Sequence, residues 1–254
     1  MEEGKKLNKK TFGLVGKKIS YSFSKGYFTD KFLNQGLTNH EYLNFDLESI
    51  QDFSKVIQEF HSTLKGVNVT IPYKQEIFKF LDDIDDTAKE VGAVNTVKYT
   101  DQGKLIGYNS DVVGFEQSIV PLLKPHHTKA LILGTGGASK AVSYVFKTLG
   151  IDSVKVSRNA FEKREILYDD LTKSLLSEYT IIINCSPVGT FPNVNQKPAI
   201  PYQFITHDHL LYDLIYNPKE TSFLSEGMKK GACTKNGYEM LVLQAEESWR
   251  IWNE

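Results

Sequence analysis

Lys129-Ala130-Leu131-Ile132-Leu133-Gly134-Thr135-Gly136-Gly137-Ala138-Ser139 decides the fold. Five residues of strand character run into a glycine-rich turn. Lys140 to Leu149 then has the apolar spacing of a helix that stops at Gly150, and Ser153 to Ser157 reads as a second strand. Strand, glycine turn, helix and strand within about thirty residues form the βαβ setting in which backbone N–H groups and a helix N-terminus hold a pyrophosphate. The spacing is Gly134-x-Gly136-Gly137-x-Ser139, so Ser139 stands where the usual fingerprint has a third glycine. A phosphate-binding loop remains possible, with less close packing of helix on strand.

Downstream, an NAD site would carry an acidic residue after the second strand to bond the ribose 2′-hydroxyl. Ser157-Arg158-Asn159 stands there instead. A guanidinium suits a 2′-phosphate and an acid would repel it, so NADP(H) is the expected cofactor. Lys163 either assists or is a solvated lysine on a turn. Thr180-Ile181-Ile182-Ile183-Asn184 is an apolar strand suited to a buried parallel sheet, followed by Cys185-Ser186-Pro187-Val188-Gly189. Leu210 to Pro218, which includes Tyr216, repeats that plan. The region from about Val113 to Lys235 reads as a doubly wound unit with helices on both faces. Gly237 to Trp252 is one long helix with Met240 and Gln244 on one face at i, i+4 spacing; a glutamine there is ordinarily a helix former on a wet face.

Upstream, Thr11 to Val15 is a strand, about Gly26 to Gln35 a helix, Glu41 to Phe45 a strand, and Leu47 to Phe60 an amphipathic helix. Ser22 and Ser24 fall on one side of the segment before the first helix. Ser24 suits an N-cap, and two hydroxyls at that spacing also suit a carboxylate or a polyol. In Gly66-Val67-Asn68-Val69-Thr70-Ile71-Pro72-Tyr73-Lys74, a strand period puts Val67, Val69 and Ile71 on a core face and Asn68 and Thr70 on the other. Pro72 should end the strand and release Tyr73 and Lys74 beyond it. Lys74 is there either a solvated cation or a proton donor in a cleft. Asp82, Asp83, Asp85 and Asp86 read as a solvated turn and cap region. Val91 to Val97 is strand-like with a lone amide, Asn95, which must find partners. Asp111 is placed as the N-cap of a helix from about Val112 to Leu123.

The chain has 254 residues, 41% hydrophobic and 24% charged, with a formal net charge of -1. That is enough for one large domain or two of moderate size. It offers no basic field for nucleic acid or membrane phosphates, so neither is expected as a partner. Lys5, Lys6, Lys9 and Lys10 read as a solvated tail with no apolar stretch behind them, so no secretory signal is expected. No apolar run approaches the ~20 residues of a membrane span. Cys185 and Cys233 lack metal-ligand spacing and form no disulfide framework, which points to a reduced, cytoplasmic protein without a metal site.

Several separated motifs together resemble the shikimate dehydrogenase family, along essentially the whole chain after the N-terminal tail. They are Ser22-Phe-Ser24, Gly66 to Lys74, Gly92-Ala-Val-Asn95-Thr96, Asn109-Ser-Asp111-Val-Val-Gly114, Gly134 to Ser139, Ile183-Asn184-Cys-Ser-Pro-Val-Gly189 and Asn236-Gly237-Tyr-Glu-Met240-Leu-Val-Leu-Gln244. Gly66 to Lys74 and Asn109 to Gly114 are highly specific; the glycine loop alone says only Rossmann. The resemblance implies an α/β enzyme of two domains. One is an α/β substrate domain, residues 1–112 completed by 238–254; the other is a Rossmann-type NADP-binding domain, residues 113–237. It implies NADPH-dependent reduction of 3-dehydroshikimate to shikimate in aromatic amino-acid precursor synthesis, by a monomer or a homodimer.

The resemblance also assigns residues. Ser22 and Ser24 would meet the substrate carboxylate, Asn68, Thr70, Asn95 and Gln244 its hydroxyls, and Tyr216 would also face it. Lys74 and Asp111 would be the catalytic pair. Gly134, Thr135, Gly136, Gly137, Ala138 and Ser139 would form the cofactor loop, Ser157, Arg158 and Lys163 the 2′-phosphate clamp, and Val188, Gly237 and Met240 the nicotinamide surround. The chain departs from the family pattern at Cys185-Ser186, where Ala-Thr is common, at Thr190, where Met is common, and at Ser157, where Asn is common. Those departures bear on cofactor packing more than on reaction type. An NAD-dependent quinate or dual quinate/shikimate dehydrogenase is the nearest rival, and a catalytically silent relative the next. Arg158 without an acidic partner argues against the first, and retention of both Lys74 and Asp111 argues against the second.

Overall fold

A strand-helix alternation runs through the computed structural model, which describes residues 9–20, 22–159 and 164–254. Two compact units result, one of Met1–Ser110 with Ala245–Glu254 and one of Asp111–Gln244. The chain passes between them inside two helices, after Ser110 and after Gln244.

The first unit contains β1 (Lys10–Gly16), α1 (Phe23–Asn34), β2 (His40–Asp46), α2 (Phe53–Phe60), β3 (Leu64–Val69), β4 (Asp83–Ile84), α3 (Asp86–Val91), β5 (Thr96–Tyr99) and β6 (Leu105–Tyr108). Its sheet order is β2-β1-β3-β5-β6-β4. β1 is parallel to both β2 and β3, whereas β5 runs antiparallel to β3 and to β6. Val15, Val67, Val69, Tyr73, Ile77 and Val97 pack into one core with Phe53 and Val56 of α2. Phe12, Leu14, Phe28, Phe32 and Tyr42 form another with Ala245, Ile251 and Trp252. The C-terminal residues therefore complete the first unit's core. Trp252 donates its indole N–H to the Val97 carbonyl at 3.0 Å, and Gly66 makes the approach possible, because a Cβ there would run into the indole ring.

Several boundaries differ from expectation. β3 ends at Val69 instead of Ile71, and Ile71 is 74% exposed instead of facing the core. The Thr70 N–H to the Val15 carbonyl is the last rung of the β1–β3 ladder, and the chain then turns, with the Tyr73 N–H bonded to the Thr70 carbonyl. Tyr73 folds back into the core and donates its hydroxyl to the Leu47 carbonyl at 2.7 Å. The helix expected from Leu47 is a 3-10 turn at Ile50–Asp52 followed by α2, with Ser49 accepting the Gln51 N–H. Val91 closes α3, and left-handed Gly92 intervenes before β5, so Val91 to Val97 is not one strand. Asp85 caps α3 by accepting from the Thr87 and Ala88 N–H groups, as a turn-and-cap reading of the aspartate run requires.

The second unit contains α4 (Ser110–Ile119, its first residue in the other unit), β7 (Lys129–Leu133), α5 (Gly137–Thr148), β8 (Asp152–Ser157), β9 (Glu165–Leu167), α6 (Lys173–Glu178), β10 (Ile181–Asn184), β11 (Leu210–Asp213), α7 (Ser222–Lys229), β12 (Cys233–Asn236) and the start of α8 (Tyr238–Asn253). All of its strand pairs are parallel, in the order β12-β11-β10-β7-β8-β9. Leu131, Leu133, Ile182 and Leu211 cluster with Leu176 of α6 and Phe223 and Leu224 of α7. Tyr212, which the strand period turns the other way, meets Phe115 and Ser118 of α4, and Phe115 stacks edge-on against Phe146 of α5. Helices cover both faces, as a doubly wound sheet requires.

Candidate active site

Within the first unit, buried polar groups form one connected chain. Tyr42 of β2 donates its hydroxyl to Asn68 Oδ1 at 2.8 Å and is itself hydrogen-bonded to Ser24; burial pushes the phenol's pKa up and the Ser24 bond opposes that. Asn68 Nδ2 donates to Ser248 Oγ at 2.8 Å, with the Thr96 hydroxyl at 3.3 Å and the Asn95 carbonyl at 3.4 Å. Asn95 accepts the Ser110 N–H at 2.7 Å on Oδ1 and donates Nδ2 to Ser110 Oγ at 3.0 Å. Thr96, Ser110 and Ser248 hydroxyls lie 2.8 to 3.0 Å apart from one another. Local folding produces this arrangement: Asn68 and Thr96 oppose each other across the β3–β5 ladder, and Ser110 opens α4.

Ser24, Asn68 and Asn95 are thus brought together, through residues that the sequence reading missed: Tyr42, Thr96, Ser110 and Ser248. A signal existed for Ser248, which continues the Met240 and Gln244 spacing by another i+4 step. Ser22 corrects the cap assignment. It occupies the N-cap position of α1, so Ser24 lies inside the helix, yet Ser22 makes no side-chain cap bond. Its Oγ is buried and has no hydrogen-bond partner among the described residues. Thr70 and Lys74 are half-buried just past β3, and the Lys74 carbonyl accepts the Val94 N–H at 2.8 Å, which pins the turn to the segment that carries Asn95.

In the second unit, the remaining candidates gather where β7, β10, β11 and β12 end. Gly134 has φ +118°, a conformation that a side chain would strain, and the Cys185 and Ser186 backbone lies beside it. α5 begins at Gly137 and not at Lys140, so Gly137, Ala138 and Ser139 form its first turn behind the N-cap residue Gly136. Thr135 and Gly136 are exposed, and a Cβ on Gly136 would meet nothing within 4 Å. Ser139 is fully buried and donates its hydroxyl to the Gly136 carbonyl at 2.6 Å, which closes the space that a third glycine would leave. Ser157 turns inward and donates to the Asn159 carbonyl at 2.6 Å, whereas Arg158 is exposed at the end of β8 with no acid in the adjacent Ser157 and Asn159 positions. Lys163 lies outside the described residues. An exposed loop of backbone at the N-terminus of a twelve-residue helix, with a guanidinium at the next strand end, fits NADP.

Asn184 and Asp213 join the two neighbouring loops. Asn184 Nδ2 donates to Asp213 Oδ1 at 3.0 Å and reaches the Val188 carbonyl at 3.3 Å, while its Oδ1 accepts from Ser186. Asp213 also accepts the Ile215 N–H at 3.1 Å and the Thr221 hydroxyl at 2.6 Å. Half-buried Tyr216 follows Ile215, whose carbonyl accepts the Gly237 N–H. Neither Asn184 nor Asp213 carried a site assignment from the sequence. Asp111 lies in the first turn of α4 and is not its N-cap, because the helix starts one residue earlier at Ser110. Gly114 of α4 packs against Met240 and Gln244 of α8, so those helices meet beside Asp111. Gln244 is buried, contrary to a wet-face reading, and donates to the Leu241 carbonyl at 2.9 Å. No described helix is long and apolar enough to cross a membrane.

Comparison with known proteins gives this geometry a family. Residues 14–97 match the model of the shikimate dehydrogenase substrate binding domain. A curated relative from Methanococcus vannielii named shikimate dehydrogenase (NADP(+)) is 38% identical over 94% of this chain and 90% of its own. A crystal structure of shikimate dehydrogenase 1 from Peptoclostridium difficile is similar at TM-score 0.81 and 39% identity, covering 96% of this chain and 91% of that one. Another, shikimate 5-dehydrogenase from Thermus thermophilus in complex with NADP(H) and shikimate, reaches TM-score 0.83 at 26% identity, covering 96% and 93%. With the substrate-domain match and near-full-length relatives in hand, the chain belongs to the shikimate dehydrogenase family.

Proposed function

We propose that this protein catalyses the reversible NADP-dependent interconversion of shikimate and 3-dehydroshikimate, in the cytoplasm, with residues 1–112 and 238–254 serving the substrate and 113–237 the cofactor. The observation that carries this reading is Ser22 Oγ, buried without a partner at the start of α1 and two residues from buried Ser24. Leaving a buried hydroxyl unsatisfied costs about 1–3 kcal/mol, a cost that a ligand oxygen removes. A carboxylate is that kind of ligand. Asn68, Asn95, Thr70, Tyr216 and Gln244 are assigned to the rest of the substrate.

Bound NADPH supplies the hydride for the substrate carbonyl. Negative charge then develops on the carbonyl oxygen, and a positioned ammonium lowers that barrier and provides the proton. Lys74 takes this role, with Asp111 as its partner in proton transfer. Gly134, Thr135, Gly136, Gly137, Ala138 and Ser139 hold the pyrophosphate, with Ser139 acting through the closed first turn of α5. Arg158 would receive the 2′-phosphate, joined by Lys163, with Ser157 serving through its bond to the Asn159 carbonyl, which holds the turn that carries Arg158, while Val188, Gly237 and Met240 would surround the nicotinamide.

Absorbance at the reduced-nicotinamide band, with shikimate or quinate offered against NADP or NAD, tests the reading. Fast reduction with shikimate and NADP is expected. Quinate with NAD winning would move the protein to a quinate dehydrogenase, and silence in all four pairings would leave a binding protein. Lys74→Ala should cut turnover by roughly 10²-fold or more with NADPH binding nearly intact. An equal loss of NADPH affinity would sink the assignment of Lys74.

A further inference from the structure

The buried chain in the first unit can be followed proton by proton. Backbone groups fix which way each amide points. Asn95 Oδ1 faces the Ser110 N–H, which can only donate, and Asn68 Nδ2 faces the Asn95 carbonyl, which can only accept. Both Asn68 Nδ2 hydrogens are then committed, one to Ser248 Oγ and one toward the Asn95 carbonyl and Thr96 hydroxyl. Its Oδ1 accepts from Tyr42 and keeps one lone pair. Asn95 is the reverse. Its Oδ1 accepts the Ser110 N–H and a hydroxyl proton from Thr96 or Ser110, and Nδ2 spends one hydrogen on Ser110 and keeps one.

We propose that Ser248 is a positioning residue which, within its hydroxyl triangle with Thr96 and Ser110, holds the Asn68 amide so that it presents an acceptor to the substrate, beside an Asn95 that presents a donor. The ligand class is a ring bearing two hydroxyls, one giving its proton to Asn68 and the other receiving one from Asn95. The inference rests on the assignment of Asn68 and Asn95 to substrate hydroxyls made above. Ser248 is central because its hydroxyl is the shortest acceptor for Asn68 Nδ2, at 2.8 Å, and lies within hydrogen-bond distance of the Thr96 and Ser110 hydroxyls. Without it, Asn68 Nδ2 loses its shortest acceptor, and only the longer contacts to the Asn95 carbonyl and the Thr96 hydroxyl are left to hold the amide toward the ligand. No exposed surface remains on Ser248 or Thr96, so water does not replace the missing oxygen in the intact fold.

The test is steady-state kinetics of Ser248→Ala and of the near-isosteric Thr96→Val, each alone and combined with Asn68→Ala. In Ser248→Ala, KM for shikimate should rise about tenfold, the size of one well-placed hydrogen bond, with kcat within about threefold and KM for NADP unchanged. Thr96→Val should move in the same direction. Because Ser248 acts through Asn68, adding Ser248→Ala to Asn68→Ala should leave kcat/KM unchanged, whereas a general loosening of the fold would add its effect. An unchanged KM for shikimate in both single variants, or additive losses in the double variant, overturns the proposal while leaving the enzyme assignment intact. A wild-type protein that turns over no shikimate overturns the enzyme assignment itself, and the positioning role falls with it.

Discussion

Asp213 shows what a single residue can cost and control. It is wholly buried at the end of β11, and burial pushes its carboxyl up to about 6 against the donors Thr221, the Ile215 N–H and Asn184. A folded value above the ordinary 3.8 means that the native state holds the proton more tightly than the unfolded chain. Its contribution to stability is therefore fully present below the unfolded value and is lost as pH rises through about 6, a change on the order of 3 kcal/mol. Urea melts should show the stability of wild type relative to Asp213→Asn falling between about pH 4 and about pH 7, then levelling. A difference that grows over that window would mean that the three donors outweigh burial. Arg158→Ala should weaken NADPH and narrow its advantage over NADH, read from KM for each cofactor; unchanged discrimination moves the phosphate clamp elsewhere. Asn68 and Asn95 were legible as candidates because an amide amid valines is conspicuous in a sequence. Ser248 went unassigned: the i+4 spacing from Gln244 put it on the same helix face, but its partner Asn68 lies 180 residues away and nothing local ties the two.

At the scale of elements, the order of strands and helices was readable and the ends were not. The sequence pattern located β1, β2, β7, β8 and β10 to within a residue or so, most plainly β7 and β10, whose apolar runs lie buried in the parallel sheet. Ends are set by hydrogen bonds that period does not encode. β3 stopped early because the chain turns after Thr70, where the Tyr73 N–H bonds the Thr70 carbonyl, and α5 started early, with the Ser139 hydroxyl closing its first turn on Gly136. Polar burial was underestimated for the same reason: Gln244 lies where α8 packs against Gly114, which no helical wheel of α8 alone contains. The tight approach of α8 to β3 offers a test. Gly66→Ala puts a methyl group into the Trp252 ring and against the Val97 carbonyl, so either β3 or α8 must shift. Denaturant melts should show a loss of about 1–3 kcal/mol or more, the usual cost of overpacking. Wild-type stability would mean that the indole swings aside without cost.

At the scale of the whole molecule, the two units differ in how their chain segments are gathered. Asp111–Gln244 is continuous, whereas the other unit takes its last piece, Ala245–Glu254, from the far end of the sequence. That piece is not peripheral: Ala245, Ile251 and Trp252 are core residues, and Glu246 binds both Lys31 and Tyr27 of α1. Truncation after Gln244 should therefore unfold the first unit and leave the second with its own cooperative melt and its NADP affinity, measured by calorimetry and cofactor titration. A single, merely lowered transition for both units would refute that independence. The same splicing sets an order of events during synthesis. Residues 1–110 are made before 245–254, and until the latter emerge their core lacks Trp252 and their buried amides lack Ser248. The later-made segment can fold as a unit in the meantime. The earlier-made unit is thus completed after the later-made one, and until then its unfilled core is an exposed surface that chaperones would meet.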